Sequence, residues 1–134
     1  LAVERTLAKK IMGLVRACRE VDPVNALHQK IRHVYDICMI LREERYKMFL
    51  VSDAFTDMIK TVMDADRLQF SDAGIWLDQP LGEALLFSDP TIYWPTLAVA
   101  FNGSFADMLY DDDLPNNEEV VAVFSQIGQR LASL

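Results

Sequence analysis

The fold of this chain is decided by residues 24–62, which read VNALHQKIRHVYDICMILREERYKMFLVSDAFTDMIKTV. They belong to a run of fifty residues between Pro23 and Gly74 that contains neither glycine nor proline, the residues that most often interrupt a helix. Apolar residues recur there at alternating spacings of three and four. Ten of the twelve positions in this seam are apolar, and the two polar ones are Arg45 and Ser52. The seam consists of Val24, Leu27, Ile31, Val34, Cys38, Leu41, Arg45, Met48, Ser52, Phe55, Ile59 and Val62. The pattern predicts a long helical hairpin.

The length of this segment argues against one uninterrupted helix. Such a helix would be about 58 Å long at a rise of 1.5 Å per residue, whereas a compact domain of this size has a radius of gyration of roughly 14 Å. The polar stretch 42–45 and Ser52, a residue type that caps helices, are the two candidate breaks. We therefore predict two helices, near residues 23–45 and 47–65.

The flanking segments also favour helix. Residues 3–20 are amphipathic, and Asp22 followed by Pro23 is typical of one helix ending and the next beginning. Turn signals then leave room for short helices only, before a final helix that begins near Asn117. The short helices are predicted at residues 72–77, 80–87, 95–101 and 104–110.

These segments predict a compact all-α bundle of about five to seven helices, closed around an N-terminal trio of antiparallel helices. Residues 91–101 leave an α+β alternative open, because Ile92, Tyr93 and Trp94 favour one or two short strands. We interpret residues 1–134 as a single domain, excised from a larger protein.

Charge is distributed unevenly along the chain. The net charge is −7, but residues 1–50 carry ten Lys and Arg against six Asp and Glu, whereas residues 51–134 carry three against fourteen. The front is therefore +4 and the rear −11, an asymmetry that concerns partners and association more than fold.

No residue pattern indicates catalysis, a cofactor or a metal. His28 and His33 lie five residues apart, on different faces of a helix. Residues 111–122 resemble a calcium loop but have Asn116 where glycine and Ala122 where glutamate are needed. Serine elbows and glycine-rich phosphate loops are absent from the sequence. We expect neither an enzyme nor a bound cofactor or metal.

The two cysteines and the hydropathy suggest a compartment. Cys18 and Cys38 fall at apolar helical positions, where a reduced, buried thiol behaves as a small hydrophobe. No apolar run approaches the roughly twenty residues of a membrane helix. The default expectation is a cytoplasmic protein without membrane contact.

Function is therefore expected to depend on helix surfaces. We predict a protein–protein interaction or oligomerisation module, homodimeric, that acts within a larger protein or assembly. Polar residues within an apolar seam can set register and partner number. The predicted interface residues are accordingly the two polar seam positions, Arg45 and Ser52, with their apolar seam neighbours Leu41 and Met48. Trp94 is a further predicted interface anchor on the condition that its side chain is exposed, because aromatic residues concentrate binding energy.

The alternative prediction is a nucleic-acid-binding accessory domain that uses the basic residues 1–50. Lys30 and Arg32 are its candidate anion-binding residues. An overall pI near 4.7 and the few aromatic residues in this half oppose that alternative.

Overall fold

The computed structural model describes residues 2–109 and 113–134, and within these ranges it contains helices and no strand. The all-α prediction is therefore confirmed. A 3₁₀ turn at Leu81–Glu83 precedes α7, and a π-helical turn at Phe101–Phe105 continues α8. The helices are α1 (Ala2–Cys18), α2 (Pro23–Gln29), α3 (Ile31–Ile40), α4 (Glu44–Leu50), α5 (Asp53–Gln69), α6 (Gly74–Leu77), α7 (Leu85–Ser88), α8 (Pro90–Ala100) and α9 (Asn117–Ala132).

The seam segment forms four helices instead of the two predicted over residues 23–45 and 47–65. Breaks occur at Lys30, at residues 41–43 and at residues 51–52, and the last two lie close to the predicted positions. Because the segment is divided, each short helix can direct its own apolar residues toward one common core. A straight helix of the same length would extend beyond that core and leave part of its apolar residues exposed.

Caps at the helix starts follow the sequence in part. Oδ1 of Asp22 accepts a hydrogen bond from the backbone N–H of Asn25 at 3.2 Å, so Asp22 caps α2 as predicted. Ser52 precedes α5, but its hydroxyl donates to the carbonyl oxygen of Phe49 at 2.6 Å. Ser52 therefore closes the preceding turn and does not cap α5.

Residues 91–101 form most of α8, so the strand alternative is wrong. The helix begins at Pro90 and runs through Pro95, five residues earlier than the predicted start. Its inward residues Trp94, Leu97 and Phe101 recur at helical spacing and are fully or almost fully buried. This burial outweighs the strand preference of the aromatic residues, because tertiary packing overrides intrinsic propensity.

The longest helices near the N-terminus, α1 and α5, lie side by side and run in the same direction. Arg5 near the start of α1 lines the same surface pocket as Asp57 near the start of α5, and the Arg16 guanidinium lies 3.9 Å from the ring centroid of Phe70, just after α5. Helix α9 covers α7, α8 and the 3₁₀ turn. One core cluster of apolar side chains extends through all these elements.

Arg130 of α9 joins the last helix to the α4–α5 corner. Its Nε donates to the carbonyl oxygen of Leu50 at 2.9 Å, and its Nη2 donates to the carbonyl oxygen of Ser52 at 2.9 Å and to the hydroxyl of Thr56 at 2.5 Å. The carbonyl of Leu50, the last residue of α4, has no partner within that helix, and the Ser52 carbonyl also accepts the N–H of Phe55 at 3.2 Å. One side chain therefore fixes the break between α4 and α5.

The predicted helix at 104–110 is present up to residue 107, where the π-helical turn passes into a short α-helical ending. The rest of that prediction includes Tyr110, which lies outside the described residues, as do Asp111 and Asp112 of the acidic turn. None of the helices in residues 2–109 and 113–134 is long and apolar enough to cross a membrane.

Candidate functional site

Two of the predicted interface residues are buried in the core. Leu41 is 3% exposed and Trp94 is 1% exposed. The seam position of Leu41 faces inward, and the indole nitrogen of Trp94 donates to Oδ1 of Asn117 at 3.0 Å. The burial contradicts both predictions, because a side chain enclosed by its own chain cannot anchor a partner on the surface.

The other three predicted residues lie near one another on α4 and at its end. Arg45 and Met48 are exposed and one turn apart, and Ser52 is half-buried beyond them. The Arg45 guanidinium lies 4.7 Å from the ring centroid of Tyr46 and pairs loosely with Glu43 at 3.4 Å. This surface is mixed, since its apolar group is surrounded by charged side chains.

A more uniformly apolar surface lies on the outer side of α8. Ile92 and Val99 are 74% and 80% exposed and lie two turns apart on the same side of the helix. Pro95 and Thr96 lie between them and are also exposed. We call these four residues the α8 face. No charged residue occurs in the sequence between Asp89 and Asp107.

The inner side of α8 holds the α8 face in place. Nδ2 of Asn102 donates to the carbonyl oxygen of Ala98 at 2.9 Å and to Oδ1 of Asn117 at 3.0 Å, beside the bond from Trp94 to the same oxygen. The Trp94 ring packs edge-on against Phe101 with centroids 5.2 Å apart. The helix is thus apolar on both sides, yet only its inner side has a partner within the described chain.

Other exposed apolar residues differ from the α8 face in their surroundings. Leu68 of α5 is 92% exposed, but it follows Arg67 and lies one turn from Asp64. Isolated apolar side chains of this kind are normal on protein surfaces. A helix that is apolar on both its inner and its outer side is unusual at a protein surface, because such a helix is ordinarily buried.

A second candidate site is a pocket of about 220 Å³ between α1, α5 and the start of α3. We call it the cationic pocket because most of its polar lining is basic. Lys30 lies there as the alternative prediction requires, but Arg32 does not line it; its Nε is 4.0 Å from the Asp36 carboxylate outside the pocket. The charged and aromatic lining residues are Lys9, Arg16, Lys30, His33, Asp66 and Phe70.

The environment of the pocket lowers the pKa of His33. Partial burial is the main cause, and the charges of Lys10 and Lys30 add to it, while Asp36 opposes it. The Nζ of Lys10 pairs with that same Asp36 at 2.9 Å. His33 is therefore more often neutral at pH 7 than an ordinary histidine.

The two cysteine thiols and the possible metal ligands were the remaining candidates for a chemical site. Burial raises the pKa of the Cys38 thiol to about 12, and burial also raises the pKa of Cys18. Raised pKa values make thiols poor nucleophiles. In residues 2–109 and 113–134, no group of three or more His, Cys, Asp or Glu side chains is arranged to hold a metal ion.

Comparison with protein-family models, with curated proteins and with solved structures gives no match for this chain. Its function must therefore be argued from its own surfaces. Sequence reasoning missed Ile92 and Val99, although a signal for them was present. The uncharged run between Asp89 and Asp107 is longer than one buried side of a helix requires.

Proposed function

We propose that this chain is a protein-interaction module that forms a homodimer, and that the α8 face is its contact surface. The observation that carries the proposal is the exposure of Ile92 and Val99 on a helix without charged residues. Burying apolar surface of this kind is the main favourable contribution to protein association. A charged residue at the centre of the face would oppose that burial, and none is present.

A second copy is the partner that the α8 face fits. In a twofold contact the same surface meets itself, so each group must tolerate its own equivalent from the other subunit. Apolar side chains meet this condition, whereas like charges repel each other at close range. Helices packed this way have axes about 8–10 Å apart.

The charge asymmetry leads to a competing contact with a different salt dependence. The +4 front of one copy would attract the −11 rear of another, and salt would weaken that attraction by screening. A dimer through the α8 face persists at high salt, because salt screens the repulsion between two chains of net charge −7 and leaves the apolar contact intact.

The experiment is light scattering after size exclusion on the wild-type chain and three variants. We expect a wild-type mass of about 31 kDa, twice the 15.3 kDa of one chain, at low and high salt. Ile92→Glu and Val99→Glu should give monomers, because each places two like charges in the contact. Leu68→Glu is the matched control, since it changes an equally exposed leucine on α5 and should remain dimeric.

A further variant separates the α8 face from the mixed surface on α4. Met48→Glu should leave the dimer intact, whereas a monomeric Met48→Glu with a dimeric Val99→Glu would transfer the contact to α4. A wild-type chain that is monomeric throughout the accessible concentration range would overturn the homodimer. Circular dichroism confirms that each variant remains folded.

A further inference from the structure

The cationic pocket has a surplus of positive charge that the protein does not neutralise. Lys9, Arg16 and Lys30 line it together with His33, and Asp66 is its single acidic lining residue. No ion pair joins these three cations to a carboxylate within the described parts of the chain. Like charges gathered in a concavity repel each other and raise the local concentration of anions.

The pocket is also held in a defined shape. The Arg16 guanidinium lies 3.9 Å from the ring centroid of Phe70 and 5.1 Å from that of Trp76, so its plane is fixed by aromatic rings and not by an acid. Gly13 gives the His33 ring space beside α1, where an added Cβ would lie 3.4 Å from the imidazole. A preorganised guanidinium loses little freedom when it binds an anion.

The α2–α3 break completes the pocket. Lys30 is the single residue between the two helices, and its carbonyl oxygen accepts the N–H of His33 at 2.9 Å. Both Lys30, at this turn, and His33, in the first turn of α3, line the pocket.

We propose that the cationic pocket binds a single phosphate group, held by Lys9, Arg16 and Lys30 with His33 as a further donor. A phosphate carries nearly two negative charges at pH 7, which matches the surplus in the pocket. The volume of about 220 Å³ is below the roughly 300–1,000 Å³ of sites for drug-sized ligands, so it suits a phosphate and little more.

The source of the phosphate is taken to be a small phosphorylated molecule and not a nucleic acid. Nucleic acid is bound along extended positive surfaces that contact several phosphates. Glu20 and Asp22 line the adjoining groove, which begins at Arg16 and Lys30, so the positive surface does not continue beyond the pocket on that side. Phe70 is the single phenyl ring among the residues that line the pocket, whereas proteins that bind single-stranded nucleic acid stack successive bases on several aromatic side chains.

The test is an NMR titration of the wild-type chain with inorganic phosphate at low ionic strength. Resonances of His33 and Lys30 should shift saturably, and the pKa of His33 should rise when phosphate is bound. An anion beside the imidazole stabilises its protonated form, so a rise in the pKa of His33 indicates that phosphate has bound next to it. The charged groups already around His33 in the free protein are Lys9, Lys10, Arg16, Lys30, Asp36 and Asp66.

Three variants test which charged residues determine the affinity for phosphate. Lys30→Gln should weaken phosphate binding about tenfold, since one charge-assisted hydrogen bond is lost. Asp66→Asn should strengthen it, because the single carboxylate of the pocket becomes neutral. Arg32→Gln is the matched control, since it removes a nearby positive charge that does not line the pocket, and should change binding little.

The proposal is overturned if phosphate causes no saturable shift, or if Lys30→Gln and Arg32→Gln bind phosphate equally. Single-stranded RNA serves as the second probe and should bind no more tightly than phosphate itself. Tighter RNA binding that is lost in Arg32→Gln would overturn the small-molecule source in favour of a nucleic-acid surface. None of these outcomes depends on the α8 face, so the dimer and the phosphate site succeed or fail separately.

Discussion

The guanidinium of Arg42 binds both carboxylate oxygens of Glu119, with Nε 2.8 Å from Oε2 and Nη2 2.9 Å from Oε1. Its third nitrogen, Nη1, donates to Oδ2 of Asp113 at 2.6 Å. Arg42 comes from the turn between α3 and α4, whereas Glu119 lies in the first turn of α9. This pair joins the basic front of the chain to its acidic rear, so part of the charge asymmetry is used inside one molecule.

Replacing Glu119 with Gln should destabilise the fold by about 1–2 kcal/mol, because a bidentate, charge-assisted pair is lost while the side-chain shape is kept. The matched control is Glu43→Gln, which removes the loose exposed pair with Arg45 and should cost less than about 0.5 kcal/mol. Urea denaturation of both variants measures the difference. Equal losses would contradict a structural role for the Arg42–Glu119 pair.

The same pair gives a pH dependence. The hydrogen bonds from Arg42 lower the pKa of Glu119 below its ordinary value of 4.5. A group with a lowered pKa contributes stability that is present above its unfolded pKa and lost as the pH falls through its folded pKa. The wild-type chain should therefore lose more stability below about pH 4.5 than Glu119→Gln does. Parallel acid profiles for the two proteins would contradict this.

Gly128 of α9 should not tolerate a side chain. A Cβ there would overlap the carbonyl oxygen of Phe87, so α7 and α9 would have to separate. We expect Gly128→Ala to destabilise the chain by about 1–3 kcal/mol through overpacking. Gly103 is the control, because no atom lies within 4 Å of its Cβ position and its backbone suits any residue. Thermal unfolding of Gly103→Ala should show no loss of stability relative to the wild-type chain.

Arg130→Lys should also be destabilising, by about 2 kcal/mol, although it keeps the positive charge. Lysine cannot reach the carbonyl oxygens of Leu50 and Ser52 together in the fork geometry of arginine. Hydrogen exchange at the α4–α5 corner should accelerate in this variant. Arg45→Lys, on the exposed side of α4, should leave both stability and exchange unchanged.

Cys38 should resist alkylation in the folded protein. With a pKa of about 12, its thiolate at pH 8 is about a thousandth as abundant as that of a thiol at the ordinary value of 9.0. Stability from this group is present below pH 9.0 and is lost as the pH rises toward 12. Mass spectrometry after iodoacetamide treatment, with and without urea, measures the protection. Similar rates in both conditions would contradict the burial of Cys38.

The sequence predicted the class of the fold because helical periodicity is a local property. The seam residues Leu27, Val34 and Phe55 are indeed buried, and Asp22 caps α2. The helix breaks were harder to predict, because Lys30 interrupts the helix without glycine, proline or a side-chain cap. That break depends on packing between distant segments, which periodicity does not record.

The candidate surfaces could be predicted less well than the fold. Leu41 could not be distinguished from an exposed interface residue in the sequence, because a seam position does not reveal whether its partner is another chain or the same one. Trp94 lies outside the seam, and the sequence alone could not decide whether its side chain is exposed or buried. Met48 occupies a seam position and is nevertheless exposed, because the breaks on both sides of α4 rotate it outward. The pocket at Lys30 depends on residues from three separate helices and so has no local signature.

The most direct test of the central claim is oxidative cross-linking of a Thr96→Cys variant. Thr96 lies midway along the α8 face, near the expected twofold axis, where two Cα atoms can approach within the roughly 7 Å that a disulfide requires. We predict a covalent dimer of Thr96→Cys under mild oxidation, and none for Leu68→Cys or for the wild-type chain with its protected cysteines. A Thr96→Cys variant that remains monomeric, or that cross-links no better than Leu68→Cys, would contradict the proposed dimer.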